Sequence, residues 1–261
     1  MDIYGILQKL RTEKPLVHHL TNWVTIYDCA NIVKVFGAAP VMAHAAEEVE
    51  DMASLASSLV LNIGTLTTEF IQSMKLAAKS ANKKGIPVIL DVCGAGATKL
   101  RDRKSFELLD AARIDIIKGN ASEVARIAGE KVQTKGVDAS KVEKDLIELA
   151  RYLAEKRDAT VVITGKEDIV AGKDRHFVVK NGCDMMAHVV GTGCMASSVI
   201  GAFSAVEKDL PKAATAGLVC YEIAAELACK DSSGPGTFKE SLFDNVYNLN
   251  KEKIEKLKRI E

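Results

Sequence analysis

Short apolar runs alternate with longer amphipathic stretches along most of the chain. Four runs, 58–64 (SLVLNIG), 86–92 (IPVILDV), 114–120 (IDIIKGN) and 159–165 (ATVVITG), are rich in Val and Ile and close on polar residues or glycine. Their hydrophobicity is continuous rather than alternating, as in strands buried on both faces of a parallel sheet. Between them the period changes to that of a helix. The stretch 67–85 sets Phe70, Met74, Ala77 and Ala81 on one face and stops at Gly85. The stretch 141–158 repeats the pattern with Val142, Leu146, Leu149 and Leu153. Strand–helix alternation of this kind predicts an α/β fold with right-handed crossovers.

Beyond residue 165 the pattern differs. The segment 168–182 (DIVAGKDRHFVVKNG) reads as two short strands around Gly172-Lys173-Asp174, an antiparallel hairpin at a sheet edge. Two alanine-rich helical stretches follow, 193–208 and 211–230, with Pro211 placed as the first residue of the second. No stretch looks like a linker, so residues 1–261 are expected to form one domain.

Composition narrows the function classes. Thirty-five Lys and Arg balance 35 Asp and Glu, and no basic face suited to nucleic acid stands out. The N-terminal stretch is charged and lacks a signal-peptide core, and no apolar run approaches the roughly 18 residues of a membrane span. The six cysteines, at 29, 93, 183, 194, 220 and 229, include no C-x-x-C pair, which argues against a zinc knuckle or redox motif. Several lie in apolar contexts, where a reduced cysteine acts as a small hydrophobe. The cytoplasm is the expected location.

In an open α/β sheet, ligands bind beyond the carboxyl ends of the strands. Asp91 ends one run and leads into the glycine-rich 93–98 (CGAGAT). Lys118, Asn120 and Glu123 follow the next, and Thr164 and Gly165 end another. Gly191-Thr192-Gly193 precedes Cys194, where a helix begins. Glycines admit phosphate oxygens close to backbone N–H groups, and a helix N-terminus adds partial positive charge. Mg²⁺ keeps several waters and needs few carboxylates, so Asp91 and Glu123 are enough to hold it indirectly. Each feature has a plainer reading. The loop is then a tight turn, Asp91 a cap, and Asn120 with Glu123 a capping box. The case for phosphoryl transfer rests on their convergence. Neither a Walker motif nor a G-x-G-x-x-G after the first strand is present.

The ordered set DVCGAGAT (91–98), IKGNASE (117–123), VITG (162–165) and GTGC (191–194) resembles hydroxyethylthiazole kinases of the ribokinase-like fold. The segments 15–25 (PLVHHLTNWVT), 37–52 (GAAPVMAHAAEEVEDM) and 59–66 (LVLNIGTL) resemble the substrate side of that family, so the likeness spans nearly the whole chain. The resemblance implies a three-layer sandwich with a mostly parallel sheet. It also implies transfer of the ATP γ-phosphoryl, with magnesium, to the hydroxyl of 4-methyl-5-(2-hydroxyethyl)thiazole in thiamine salvage. It places Met42 against the thiazole, a soft thioether on a heteroaromatic ring. By the same likeness Gly191 is a substrate contact and Thr164 an ATP contact, with Lys118 at an ATP-binding position. Asp91 and Glu123 match acidic positions near metal and phosphates. A homotrimer with active sites between subunits is implied too, with Asn22 in a segment reaching that interface. Asn120 and Gly193 are further candidates on the nucleotide side.

The chain departs from the pattern in places. Lys118 stands where many members carry arginine, which keeps the charge but loses the bidentate fork. Cys93 follows Val92 where Pro-Val is usual. His18 and His19 fall on the presumed substrate side, where structural hydrogen bonding is the plainer role. Cys194 occupies the place of the aspartate base of sugar kinases sharing the fold. Its thiol is read as orienting the acceptor hydroxyl, dispensable as a base, because a loose transition state asks for alignment and charge neutralisation. A thiolate base, a simple fit to a tight helix start and a covalent nucleophile partnered by His188 stay open. So do three other functions: a kinase for another hydroxymethyl heterocycle or sugar, a nucleotide-binding regulator and a thiol hydrolase.

Overall fold

The computed structural model describes residues 1–129 and 146–261. Among these, eight strands form one sheet in the order β2-β1-β3-β4-β5-β6-β7-β8. In chain order they are β1 (Leu16–Leu20), β2 (Ala39–Val41), β3 (Ser58–Asn62), β4 (Val88–Asp91), β5 (Ile116–Asn120), β6 (Thr160–Thr164), β7 (Asp168–Ala171) and β8 (His176–Val179). Strands β2 through β6 pair in parallel, and β7 and β8 add an antiparallel edge. The four expected strands and the hairpin are all present. Two further strands, β1 and β2, lie outside those runs.

Helices cover both faces. One layer contains α1 (Ile3–Glu13) and α2 (Ile26–Phe36). The opposite layer contains α3 (Val49–Leu55), α4 (Thr68–Lys84), α5 (Lys99–Ala111), α6 (Ala121–Ala128) and α7 (Leu146–Arg157). The chain then returns to the first layer with α8 (Thr192–Ser204), α9 (Leu210–Asp231), α10 (Pro235–Tyr247) and α11 (Lys251–Leu257). Each layer has its own apolar core against the sheet, one built on Ile32, Phe36, Val199 and Phe203, the other on Ile71, Met74, Leu90 and Leu153. Each such fully buried side chain contributes about 1.5–3 kcal/mol of burial free energy. This is the α/β fold expected from the alternation of runs, in the three-layer form that the resemblance implies.

Local rules explain the element ends. Thr67 caps α4 by accepting from Phe70 N at 3.1 Å, and Phe70, Met74, Ala77 and Ala81 are buried as the period requires. In α7, Leu149 and Leu153 are buried, whereas Val142 lies outside the described residues. Helix α9 starts one residue earlier than expected: Asp209 is its cap, and Pro211 is its second residue. Helix α8 sits directly on the sheet, since a Cβ at Gly201 would fall 2.3 Å from Val60 Cγ2. The close approach lets Ser58 Oγ donate to Gly201 O at 2.8 Å.

The cysteines need one correction. Cys29 and Cys220 are buried and free, as reduced small hydrophobes should be, but Cys183 and Cys229 form a disulfide. The bridge joins the segment after β8 to the end of α9. Residues far apart in sequence meet there, and spacing alone gave no sign of it.

Candidate active site

The parallel register sets polar residues side by side at the carboxyl edge. Asn62, ending β3, pairs with Asp91 at the end of β4, and Asp91 pairs with Lys118 on β5. Asn120, ending β5, pairs with Thr164 at the end of β6. Helix α8 enters over the same edge. Lys118 Nζ, on a residue only 4% exposed, lies 3.2 Å from Asp91 Oδ2 and donates to Gly193 O at 3.0 Å. Ser197 Oγ donates to the same Asp91 oxygen at 2.6 Å. One buried ammonium thus ties the end of β4 to the first turn of α8. Burial opposes its charge, yet Asp91 and Glu123 raise its pKa above the ordinary lysine value.

Glu123 and Asn120 form the capping box of α6: Asn120 Oδ1 accepts from Glu123 N at 2.9 Å, and Glu123 Oε2 accepts from Asn120 N at 2.7 Å. Here the plainer reading holds, and it is joined by a second contact. Glu123 Oε1 accepts from Gly94 N at 2.6 Å, which fixes the glycine-rich loop after β4. Burial, followed by the nearby Asp91 charge, raises the Glu123 pKa. Two buried carboxylates in mutual repulsion make a field that a divalent cation relieves. Among the described residues no cluster of three or more His, Cys, Asp or Glu is arranged to hold a metal. Asp91 and Glu123 alone would therefore hold a hydrated cation such as Mg²⁺ only through its own waters. Thr164 is half-buried at the end of β6, with Oγ1 3.5 Å from Gly119 O of β5.

Cys194, third residue of α8, is buried at the same edge. Its sulfur accepts from Asn62 Nδ2 at 3.3 Å and from Asn22 Nδ2 at 3.7 Å. The Cys93 thiol donates to it, which with help from Thr25 and Lys118 lowers the Cys194 pKa to about 7 against the opposing effects of burial and Asp91. That hydrogen bond first, then burial, drives the Cys93 thiol far upward. Cys93, the departure from Pro-Val, is therefore a neighbour of the Cys194 sulfur. Before Cys194, Gly191 adopts a φ of +97°, and a Cβ there would lie 2.7 Å from Thr25 Cγ2. Only glycine fits this position without strain.

The residues expected on the acceptor side lie on the segments after β1 and β2. Met42 is half-buried just past β2. Trp23 stacks on Phe70 with centroids 5.5 Å apart and meets His44 edge-on at 4.6 Å. His18 and His19 are buried in β1, with His18 Nε2 2.7 Å from Ala43 O and His19 Nδ1 3.0 Å from Val17 O. Burial lowers both pKa values, that of His19 to about 4, so both are neutral structural residues. His188 is exposed and is not among the groups around Cys194.

The structure thus brings Asp91, Lys118, Asn120, Glu123, Thr164, Gly191, Gly193 and Cys194 to one edge, with Asn22 beside them. Three contributors were missed: Asn62, Ser197 and Arg101. Arg101 of α5 donates to Ile63 O, Cys93 O and Gly64 O at 2.7–2.9 Å and so clamps the loops after β3 and β4. None stands in a motif. The register of the sheet and a helix laid across it are what aim them at the site.

The fold is of the ribokinase-like class. A ribokinase-like superfamily protein from Enterococcus faecalis superposes with a TM-score of 0.67 at 12% identity, covering 93% of each chain. More specifically, the chain belongs to the hydroxyethylthiazole kinase family, whose profile matches residues 7–252. It is 53% identical over 255 residues to the hydroxyethylthiazole kinase of Methanosarcina mazei, covering 98% of both chains. The structure of the hydroxyethylthiazole kinase protein from Pyrococcus horikoshii OT3 matches with a TM-score of 0.92 and 39% identity, covering 99% of this chain and 98% of that one.

Proposed function

We propose that the chain moves the γ-phosphoryl of ATP to the hydroxyl of 4-methyl-5-(2-hydroxyethyl)thiazole, as one catalytic domain spanning residues 1–261, in thiamine salvage in the cytoplasm. The observation that carries this reading is the buried Lys118 bridge between Asp91 and Gly193, set between a glycine-rich loop and a helix N-terminus. Backbone N–H groups at the start of α8 receive phosphate oxygens, while the 93–98 loop, whose Gly94 and Gly96 N–H groups bond Glu123 and Asp102, walls the site. Lys118 offsets their charge, and Thr164, Asn120 and Gly193 border the nucleotide. A magnesium ion, when bound near Asp91 and Glu123, supplies further charge neutralisation. Met42 packs on the thiazole ring, and Gly191 leaves room for the acceptor.

The hydroxyl oxygen forms a bond to the γ-phosphorus while the bond to the β-phosphate oxygen breaks, and the hydroxyl proton leaves on the transferred phosphoryl oxygens and exchanges with solvent. Cys194 accepts a hydrogen bond from that hydroxyl and holds it in line, and alignment with charge neutralisation contributes most of the rate. Cys194→Ser is expected to lose only part of kcat, and Cys194→Asp to match or exceed the parent. A loss of several orders of magnitude for serine, with aspartate no better, would reject this role.

We infer further that copies of the chain associate, as a trimer, around these sites. Support comes from apolar side chains exposed beside Asn22 and Gly191: Val24 at 70%, Tyr27 at 76% and Val190 at 73%. The activity is tested by following ADP release from Mg-ATP with a panel of alcohols. Release with the thiazole alcohol alone supports the reading, and release only with another hydroxymethyl heterocycle or sugar replaces the substrate. No release with any acceptor rejects the kinase reading in favour of a regulator or hydrolase.

A further inference from the structure

Two asparagines at the carboxyl ends of neighbouring strands point at one sulfur. Asn62 ends β3, and Asn22 follows β1. In each the amide orientation is fixed by the backbone. Asn62 Oδ1 accepts from Gly64 N at 2.9 Å, and Asn22 Oδ1 accepts from Val24 N at 2.9 Å. A backbone N–H can be met only by an oxygen, so in both residues Nδ2 is the atom left to face Cys194 Sγ. Gly64 allows the convergence, since a Cβ there would fall 2.4 Å from Asn22 Nδ2 and 3.0 Å from Asn62 Oδ1.

We propose that Asn62, assisted by Asn22, is a positioning residue that keeps the Cys194 sulfur an anionic hydrogen-bond acceptor turned toward the acceptor hydroxyl. The inference rests on the kinase reading of this site. Asn62 is 1% exposed, so its N–H has the sulfur rather than water as partner. Hydrogen bonds to an ionised acceptor are about twice as strong as neutral ones, and the first turn of α8 favours the same charge state. The other groups around the sulfur divide. The Cys93 thiol, the Thr25 hydroxyl and Lys118 favour the anion, while burial and Asp91 oppose it. Cys29 on α2 and Tyr221 on α9 also face it, and both stay protonated because burial raises their pKa values.

The test is the pH dependence of Cys194 alkylation by iodoacetamide, read by peptide mass mapping so that the other cysteines are scored separately. Asn62→Leu removes the donor, whereas Asn62→Asp keeps the bond from Gly64 N and puts an acceptor with its own negative charge in the donor's place. In the parent the alkylation rate is expected to rise with a midpoint near the value of about 7 noted above. In either variant the midpoint moves up by about one unit or more, and kcat/KM for the alcohol falls at least about tenfold while KM for ATP holds. An unchanged midpoint in a folded variant overturns the proposal. Should Asn62→Leu fail to fold, Asn62→Asp gives the answer. Alkylation needs no turnover, so a midpoint shift without ADP release would sink the kinase reading and leave the anionic sulfur standing.

Discussion

Lys118 shows how one side chain can serve both stability and chemistry. Its ammonium bonds Asp91 and Gly193 O inside the protein, so removing it strands a buried carboxylate. Lys118→Met is expected to destabilise the fold by about 3–5 kcal/mol, the usual cost of breaking a buried pair. It should also lower kcat at least about 100-fold; denaturant titration and ADP release measure the two effects. At Gly191 the effect is steric. Gly191→Ala forces a Cβ into Thr25 and into a left-handed conformation costing about 1–2 kcal/mol. Its expected signature is a raised KM for the alcohol with KM for ATP unchanged. Asp91, Lys118 and the 191–194 turn could be picked out in the sequence because each follows a strand signal or sits among glycines. Asn62 could not. It is one more polar residue after an apolar run, and only the pairing of β3 with β4 places it next to Asp91.

Among the elements, the strands that escaped detection have physical reasons for doing so. Strand β1 carries His18 and His19 in its centre, which breaks the apolar run, although both are buried and neutral. Strand β2 has three residues, contains Pro40 and lies at the sheet edge, where a missing donor is tolerated. The disulfide is a tie of the same hidden kind, closing 46 residues between the segment after β8 and α9. Replacing both Cys183 and Cys229 with serine should lower unfolding free energy by about 2–4 kcal/mol. The parent should lose a similar amount in dithiothreitol, while the double variant should be indifferent to it; denaturant titration with and without the reductant distinguishes these outcomes.

Helix α9 also holds Glu222 against Asp168 of β7, whose Oδ1 accepts from Gly165 N at 2.9 Å beside Thr164. Burial first, and the charge of Asp168 second, holds the Glu222 proton well above the usual carboxylate range. In the unfolded chain that proton leaves near pH ~4.3. Above this value the native state binds more protons than the unfolded one, so stability falls as pH rises toward the folded-state pKa. Glu222→Gln removes that titration. Its Tm should exceed that of the parent at pH 8 and converge with it near pH 4, as calorimetry across pH would show.

For the molecule as a whole, a formal net charge of zero offers no long-range steering, so recognition has to come from the shape and local chemistry of the site. Val24, Tyr27 and Val190, near site residues in sequence, are apolar side chains left exposed. For the trimer proposed above, Tyr27→Glu combined with Val190→Asp should give monomers in sedimentation velocity and reduced activity, whereas a parent that already sediments as a monomer would reject the assembly. No helix among the described residues is long and apolar enough to cross a membrane. The layered architecture was legible because continuous apolar runs and amphipathic periods agree.

The most direct measurement is a crystal structure with Mg²⁺, a non-hydrolysable ATP analogue and the thiazole alcohol. The terminal phosphate should sit at the start of α8 within reach of Lys118, and the alcohol oxygen within hydrogen-bonding distance of Cys194 Sγ. Phosphates bound away from Asp91, Lys118 and the 191–194 turn would contradict the site described here.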